Sequence, residues 1–157
     1  MHLTDLIQED VVRLPLKATD RWQAIEELVD ALVDAHELRL TDRAEVIEAV
    51  TTREKSMSTG IGHGVAVPHG AVDRVRDIIA SLGISREGIP FQAADGKPVH
   101  IVVLLVIPKG SFQQHVRTLA GIARLARTEE LRGKIIGARS VAEVMDAIYE
   151  VELAETE

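Results

Sequence analysis

The sequence predicts a single-domain α/β fold: a mixed parallel and antiparallel sheet of about five strands, flanked by helices on both faces. Three observations lead there. Residues 99–107 read VHIVVLLVI, almost uninterrupted apolar and largely β-branched sequence, the pattern of a central strand covered on both sides. Three helix-start signatures punctuate the chain: Asp20 with Gln23, Ser111 with Gln114, and Ser140 with Glu143. Residues 56–70, SMSTGIGHGVAVPHG, carry four glycines and Pro68 and cannot be helical. Apolar strands alternating with amphipathic helices make a layered domain with the sheet inside. The 157 residues suffice to bury a core and contain no linker-like tract, so residues 1–157 read as one domain.

Taken in order, residues 11–14 read as a short strand. Asp20 opens a helix with Trp22, Ile25, Leu28, Val29, Leu32 and Val33 at helical spacing. A second helix starts near Asp42, with Glu45 in the capping position, and runs through Val46, Ile47 and Val50 to about Arg53. Residues 65–67 form a short strand between glycine turns. Residues 77–84 form another strand, and the central strand 99–107 is stopped by Pro108 and Gly110. Ser111 then opens a helix with Val116, Leu119, Ile122 and Ala123 on one face. A short helix over 129–136 and a last one from Ser140 through Val144, Ile148 and Val151 complete the chain.

Composition removes several function classes. Eighteen Lys and Arg against twenty-five Asp and Glu give a formal charge of −7, the wrong sign for a general nucleic-acid binder. The chain has no cysteine, which excludes disulfides, a thiolate nucleophile and cysteine-held metal. One Trp, one Tyr and two Phe do not furnish base-stacking platforms. The opening MHLTDLIQED is interrupted by acids and lacks a signal-peptide core, and no apolar run reaches the ~20 residues of a membrane helix. A cytoplasmic location without membrane insertion is expected.

Six histidines are the chemical resource of the chain: His2, His36, His63, His69, His100 and His115. His2 and His36 read as solvent-facing structural residues, and His100 as a hydrogen-bonded residue of the central strand. His69 differs. Pro68 before it fixes φ and extends Val67, and Gly70 after it removes a neighbouring side chain. An imidazole held rigidly at a strand end with open space in front suits a nucleophile, although a turn-capping role fits the spacing as well. His115 falls in the first turn of its helix, where free N–H groups and the positive dipole end favour an anion. A solvated helix-start histidine fits that position equally. Arg53 precedes the glycine-rich segment as a candidate cation or a solvated helix end. Ser58 and Thr59 offer hydroxyls to an oxyanion or simply form a turn. The segment TGIGHG lacks the endings of both the phosphate-binding P-loop and the dinucleotide fingerprint, so no nucleotide cradle is expected.

The segment REKSMSTGIGHGVAVPHG, Arg53 to Gly70, resembles the active-site stretch of enzyme IIA domains of the fructose, mannitol and nitrogen-regulatory type. These belong to the bacterial phosphoenolpyruvate-dependent phosphotransferase system. Residues 89–125 are similar to the family's next segment: F-x-A-x-D-x-x-P-V, a buried strand, then a helix with a second histidine in H-x-x-T-L. The opening DLIQEDVV and the final helix fit too, so the likeness spans essentially the whole chain. It implies that His69 accepts a phosphoryl group on the ring nitrogen distal to the backbone. It also implies that His115 is the second histidine of the site and that Arg53 neutralises the phosphate. Ser58 and Thr59 fall in the family's phosphate-side loop. His63 departs from the Asn or Glu common in relatives.

The implied partners are a histidine phosphocarrier protein upstream and, downstream, a IIB component or a regulated protein such as a transporter or kinase. No cofactor and no metal are implied. The subtype stays open between sugar uptake and nitrogen regulation. The competing reading is a non-catalytic regulatory module on the same fold. A metal site at His63, His69 and His115 is disfavoured because residues 56–72 hold no carboxylate. Docking of the partner is expected on apolar surface around Ile61, Val65 and Val67.

Overall fold

A strand that is apolar at nearly every residue has to sit where both its faces are covered, and the strand β6, Val99–Pro108, does. In the computed structural model, which describes residues 3–156, Val99 and Ile101 through Ile107 are all buried. β6 pairs antiparallel with β5, Ile79–Ile89, along one edge. Its other edge carries β3, Val65–Ala66, and β4, His69–Val72, both parallel to it. β1, Val12–Arg13, adds to β5, and β2, Gly60–Gly62, adds to β3. The sheet thus has six strands rather than about five, in the order β1-β5-β6-β3-β2 with β4 also on β6.

Helices α2, Arg21–Asp34, and α3, Arg43–Ser56, pack on each other, with α2 against β5 and α3 against β4. Helices α4, Phe112–Ala126, and α5, Glu129–Ile136, pack against β6. The final helix α6, Val141–Thr156, lies on α5 and on the N-terminal turn α1, Leu3–Leu6. The buried Glu152 of α6 accepts hydrogen bonds from the Leu3 N–H, from the Thr4 N–H at 3.0 Å and from the Thr4 hydroxyl at 2.7 Å. This satisfies the free N–H groups that open α1 and ties the two ends of the chain together. Among the described residues no helix is long and apolar enough to cross a membrane.

Two of the predicted caps form as expected. The Asp20 carboxylate accepts the Gln23 N–H at 2.8 Å, and Gln23 returns its side-chain oxygen to the N–H and hydroxyl of Thr19. Ser140 Oγ accepts the Glu143 N–H at 3.2 Å, while Glu143 accepts from Arg139 N–H at 2.9 Å. The cap predicted at Asp42 does not form. Residues Leu40–Asp42 already make a 3₁₀ turn, so Asp42 enters α3 with φ −98° and ψ −4° instead of the extended shape a cap requires. Asp42 and Glu45 instead face Arg74, with Glu45 at 2.9 Å.

Strand boundaries move as well. The strand expected at 11–14 contracts to Val12–Arg13 because Glu9–Val11 form a 3₁₀ turn. The strand expected at 77–84 runs from Ile79 to Ile89. β2 and β4 were concealed by their glycines, which carry little strand signal. Gly60 is there because Ala93 lies against it: an added Cβ would sit 2.7 Å from the Ala93 Cβ.

Candidate functional site

β3 and β4 follow β6 in one unbroken register: Val65 faces Ile101, Ala66 faces Val102, and His69 resumes opposite Leu105. Of the two residues between them, Pro68 stays tied to β6 only through its carbonyl, which accepts the Leu105 N–H at 3.0 Å. Pro68 has no N–H. Val67 directs its N–H to the Thr59 carbonyl at 3.1 Å, across the β2–β3 hairpin. The Val67 carbonyl then meets Nδ1 of His69 at 2.9 Å. A carbonyl can only accept, so in the neutral ring Nδ1 carries the hydrogen and Nε2 presents its lone pair. The Val-Pro break therefore sets the tautomer of a half-buried histidine.

Gly70 matters for a reason other than space beside the imidazole. It is buried under α3, where an added Cβ would lie 2.9 Å from Val50 N and 3.0 Å from the Ala49 carbonyl carbon. The missing side chain lets α3 settle on β4. One turn further along α3 stands Arg53, a cation in the last turn of the helix, where the dipole favours it. Its Nη1 donates to the Met57 carbonyl at 2.8 Å.

Arg53 and His69 share one cleft of about 330 Å³, closed by Ala71, Ile107, Phe112 and Leu119. Among the described residues no carboxylate lines it. The Phe112 ring stands 6.2 Å from the His69 ring, tilted by 34°. His115 does not itself line this cleft. It lies on α4 three residues after Phe112 and four before Leu119, on the helical stripe between the two α4 residues that do, and it is half-buried.

Ser58 and Thr59 are placed differently from the expectation of direct phosphate donors. The Ser58 hydroxyl donates to the Phe91 carbonyl at 2.5 Å and accepts the Gly60 N–H at 3.1 Å. The Thr59 hydroxyl donates to the buried Glu54 carboxylate at 2.5 Å. Each has one proton, and the fold uses it.

The remaining histidines stand apart. His63 is exposed in the β2–β3 turn at φ +58°, with its N–H on Asp95 at 3.1 Å. The N–H of Lys97 above all, helped by that of His63, holds the Asp95 carboxyl below its ordinary value. His100 is the hydrogen-bonded strand residue expected, with Nδ1 2.8 Å from the Ser85 carbonyl. His36 ends α2 in the left-handed region at φ +61°. His2 lies outside the described residues. A larger groove of about 870 Å³, lined by Arg39, Arg74 and Arg76 with Glu37 and Asp77, holds none of the expected site residues.

The expected docking surface is corrected. Val65 is 0% and Val67 7% exposed, because both belong to the sheet core. The apolar side chains that do reach solvent near the cleft are Met57, Phe112 and Val116, at 70%, 45% and 42%. Sequence reasoning overlooked Phe112 and Glu54. An apolar residue directly after a helix cap, in an otherwise polar first turn, was the available signal for Phe112, whereas nothing local marks Glu54 as buried.

Comparison with known proteins identifies the family. Residues 5–151 match the family described as "Phosphoenolpyruvate-dependent sugar phosphotransferase system, EIIA 2". A nitrogen regulatory protein of Bradyrhizobium diazoefficiens is 34% identical over 151 residues, covering 96% of this chain and 94% of that one. A fructose-specific EIIABC component of Bacillus subtilis is 30% identical over 94% of this chain, which spans only 23% of that longer protein. The crystal structure of the nitrogen regulatory protein IIA-Ntr from Neisseria meningitidis superposes with a TM-score of 0.83 at 27% identity, covering 93% of this chain and 98% of that one. With its matched residues running from the first helix to the last, the chain belongs to the EIIA type-2 family of the phosphoenolpyruvate-dependent sugar phosphotransferase system.

Proposed function

We propose that this phosphotransferase component carries its phosphoryl group on Nε2 of His69. A histidine phosphocarrier protein in the cytoplasm donates it, and a IIB component or a regulated protein takes it on. The observation that carries the reading is the Nδ1–H to Val67 carbonyl bond, which leaves Nε2 as the nucleophilic atom. The Nε2 lone pair attacks phosphorus in line. The donor's N–P bond breaks, and its electron pair returns to the donor ring. The phosphorylated ring takes on positive character, which the Val67 carbonyl stabilises through Nδ1–H.

Arg53 supplies the cation for the phosphoryl oxygens from the same cleft, and His115 approaches from the first turns of α4. Met57, Phe112 and Val116 form the apolar ground on which a partner docks around this cleft. Incubation with phosphoenolpyruvate, enzyme I and a histidine phosphocarrier protein should add one phosphoryl group to the intact protein by mass spectrometry. No gain would leave a binding module without transfer chemistry.

Arg53→Ala should slow uptake by about 10²–10³-fold, the usual loss for one preorganised charge-stabilising group. His115→Ala should slow it by roughly ten- to a hundred-fold. Neither variant should melt much earlier than the parent, since Arg53 and His115 are only partly buried. Rapid-quench time courses measure both, and an unchanged Arg53→Ala rate would move the phosphate-neutralising role elsewhere.

With no carboxylate among the described residues that line the cleft to activate water, the phosphorylated protein freed of donor should lose its group slowly. Addition of an acceptor protein should accelerate the loss. Fast spontaneous release, unaffected by any acceptor, would indicate a phosphatase instead.

A further inference from the structure

We infer that Glu54 is a positioning residue for His69, holding it in the Nδ1–H tautomer through Thr59 and Val67. The inference rests on His69 being the acceptor. Glu54 follows Arg53 in α3, and successive helical residues point about 100° apart. Arg53 therefore reaches the cleft while Glu54 turns inward, where it is 1% exposed.

A carboxylate buried so completely has to be surrounded by donors. Glu54 Oε1 accepts the Thr59 hydroxyl at 2.5 Å, and Oε2 accepts the Thr59 N–H at 3.0 Å and Arg21 Nη1 at 3.4 Å. Both donors of Thr59 are thus fixed by one side chain. Thr59 in turn offers its carbonyl to the Val67 N–H at 3.1 Å, and Val67 offers its carbonyl to His69 Nδ1 at 2.9 Å. The series Glu54, Thr59, Val67, His69 is continuous, and each link orients the next. Packing alone would be served as well by an apolar residue of similar volume. What only the acid does is pin the base of the β2–β3 hairpin so that the Val67 carbonyl faces the imidazole. One helix thereby sets both the cation and the nucleophile.

The test is Glu54→Gln in the full chain. Gln keeps the shape and one acceptor, but its amide nitrogen cannot accept the second Thr59 donor. Folding is checked first by circular dichroism and urea titration. ¹⁵N-histidine NMR then reads the His69 tautomer, and transfer from the phosphorylated histidine phosphocarrier gives kcat and KM. His69 should move from the Nδ1–H form towards a mixture of tautomers. kcat per folded molecule should fall by roughly ten- to a hundred-fold, with KM near the parent value. Thr59→Val should reproduce part of this loss, and Thr59→Ser, which keeps both donors, should restore it. Where Glu54→Gln does not fold, Thr59→Val carries the same readouts. A folded Glu54→Gln or Thr59→Val protein with the parental tautomer and kcat overturns the inference. If the parent itself takes no phosphoryl group, the proposed function falls, while the tautomer measurement still decides the role of Glu54.

Discussion

His69→Ala should leave a folded protein that takes up no phosphoryl group. The two halves of that expectation have separate causes. On the proposed function uptake should vanish, because among the described residues His69 is the histidine that lines the cleft with Arg53, and its Nδ1 is already engaged by the Val67 carbonyl. Stability changes little because the ring is only half-buried and contributes one hydrogen bond, to the Val67 carbonyl. A single such bond is worth about 1 kcal/mol, and the carbonyl left behind can find water at the cleft. For a domain of this size that corresponds to a drop in Tm of roughly 2–4 °C. Intact-protein mass spectrometry and a thermal melt check the two halves independently. A His69→Ala protein that gains one phosphate at the parental rate would put the acceptor at another histidine. His115 is the first to examine, since it lies on the stripe of α4 that borders the cleft.

The sequence was informative where local chemistry is self-contained. Pro68 and Gly70 around His69 announced a rigidly held imidazole, and the apolar run at 99–107 announced the central strand. The caps at Asp20 and Ser140 depend on residues three apart and were readable for that reason. What escaped is what depends on distant partners. Thr59 looks like a loop hydroxyl until Glu54 is seen beneath it. Val65 and Val67 were read as a short strand, but nothing local shows that their side chains are covered; the pairing of β3 with β6 places Val65 in the core, and Val67 is buried beside it. β4 was invisible because its strand character derives from parallel pairing with β6, not from its own composition. The cap at Asp42 failed for a local reason, the preceding 3₁₀ turn, and its carboxylate and that of Glu45 face the distant Arg74 instead.

Gly70→Ala should damage both stability and transfer, and by a route that never touches the imidazole. No left-handed φ is involved. The obstacle is the backbone of α3, since the new methyl would lie 2.9 Å from Val50 N and 3.0 Å from the Ala49 carbonyl carbon. A flexible side chain could swing aside, but a helix backbone cannot, so α3 and β4 have to separate. Overpacking of this kind costs about 1–3 kcal/mol. The displacement is carried along α3 to Arg53, one turn beyond Val50, and shifts the guanidinium relative to Nε2. Misplacement by a fraction of an ångström to an ångström lowers transfer by about ten- to a hundred-fold. Gly133→Ala is the control, because Gly133 lies inside α5 and an added Cβ would meet nothing within 4 Å beyond its chain neighbours and the backbone of its own helix. That change should stabilise by about 0.4–1 kcal/mol, through the lost freedom of the unfolded chain, and leave transfer alone. Urea unfolding and rapid-quench transfer on the two variants should therefore move in opposite directions for stability, and only Gly70→Ala should slow transfer. A Gly70→Ala protein as stable and as fast as the parent would show that α3 yields freely on β4, and that Arg53 does not depend on this contact for its place.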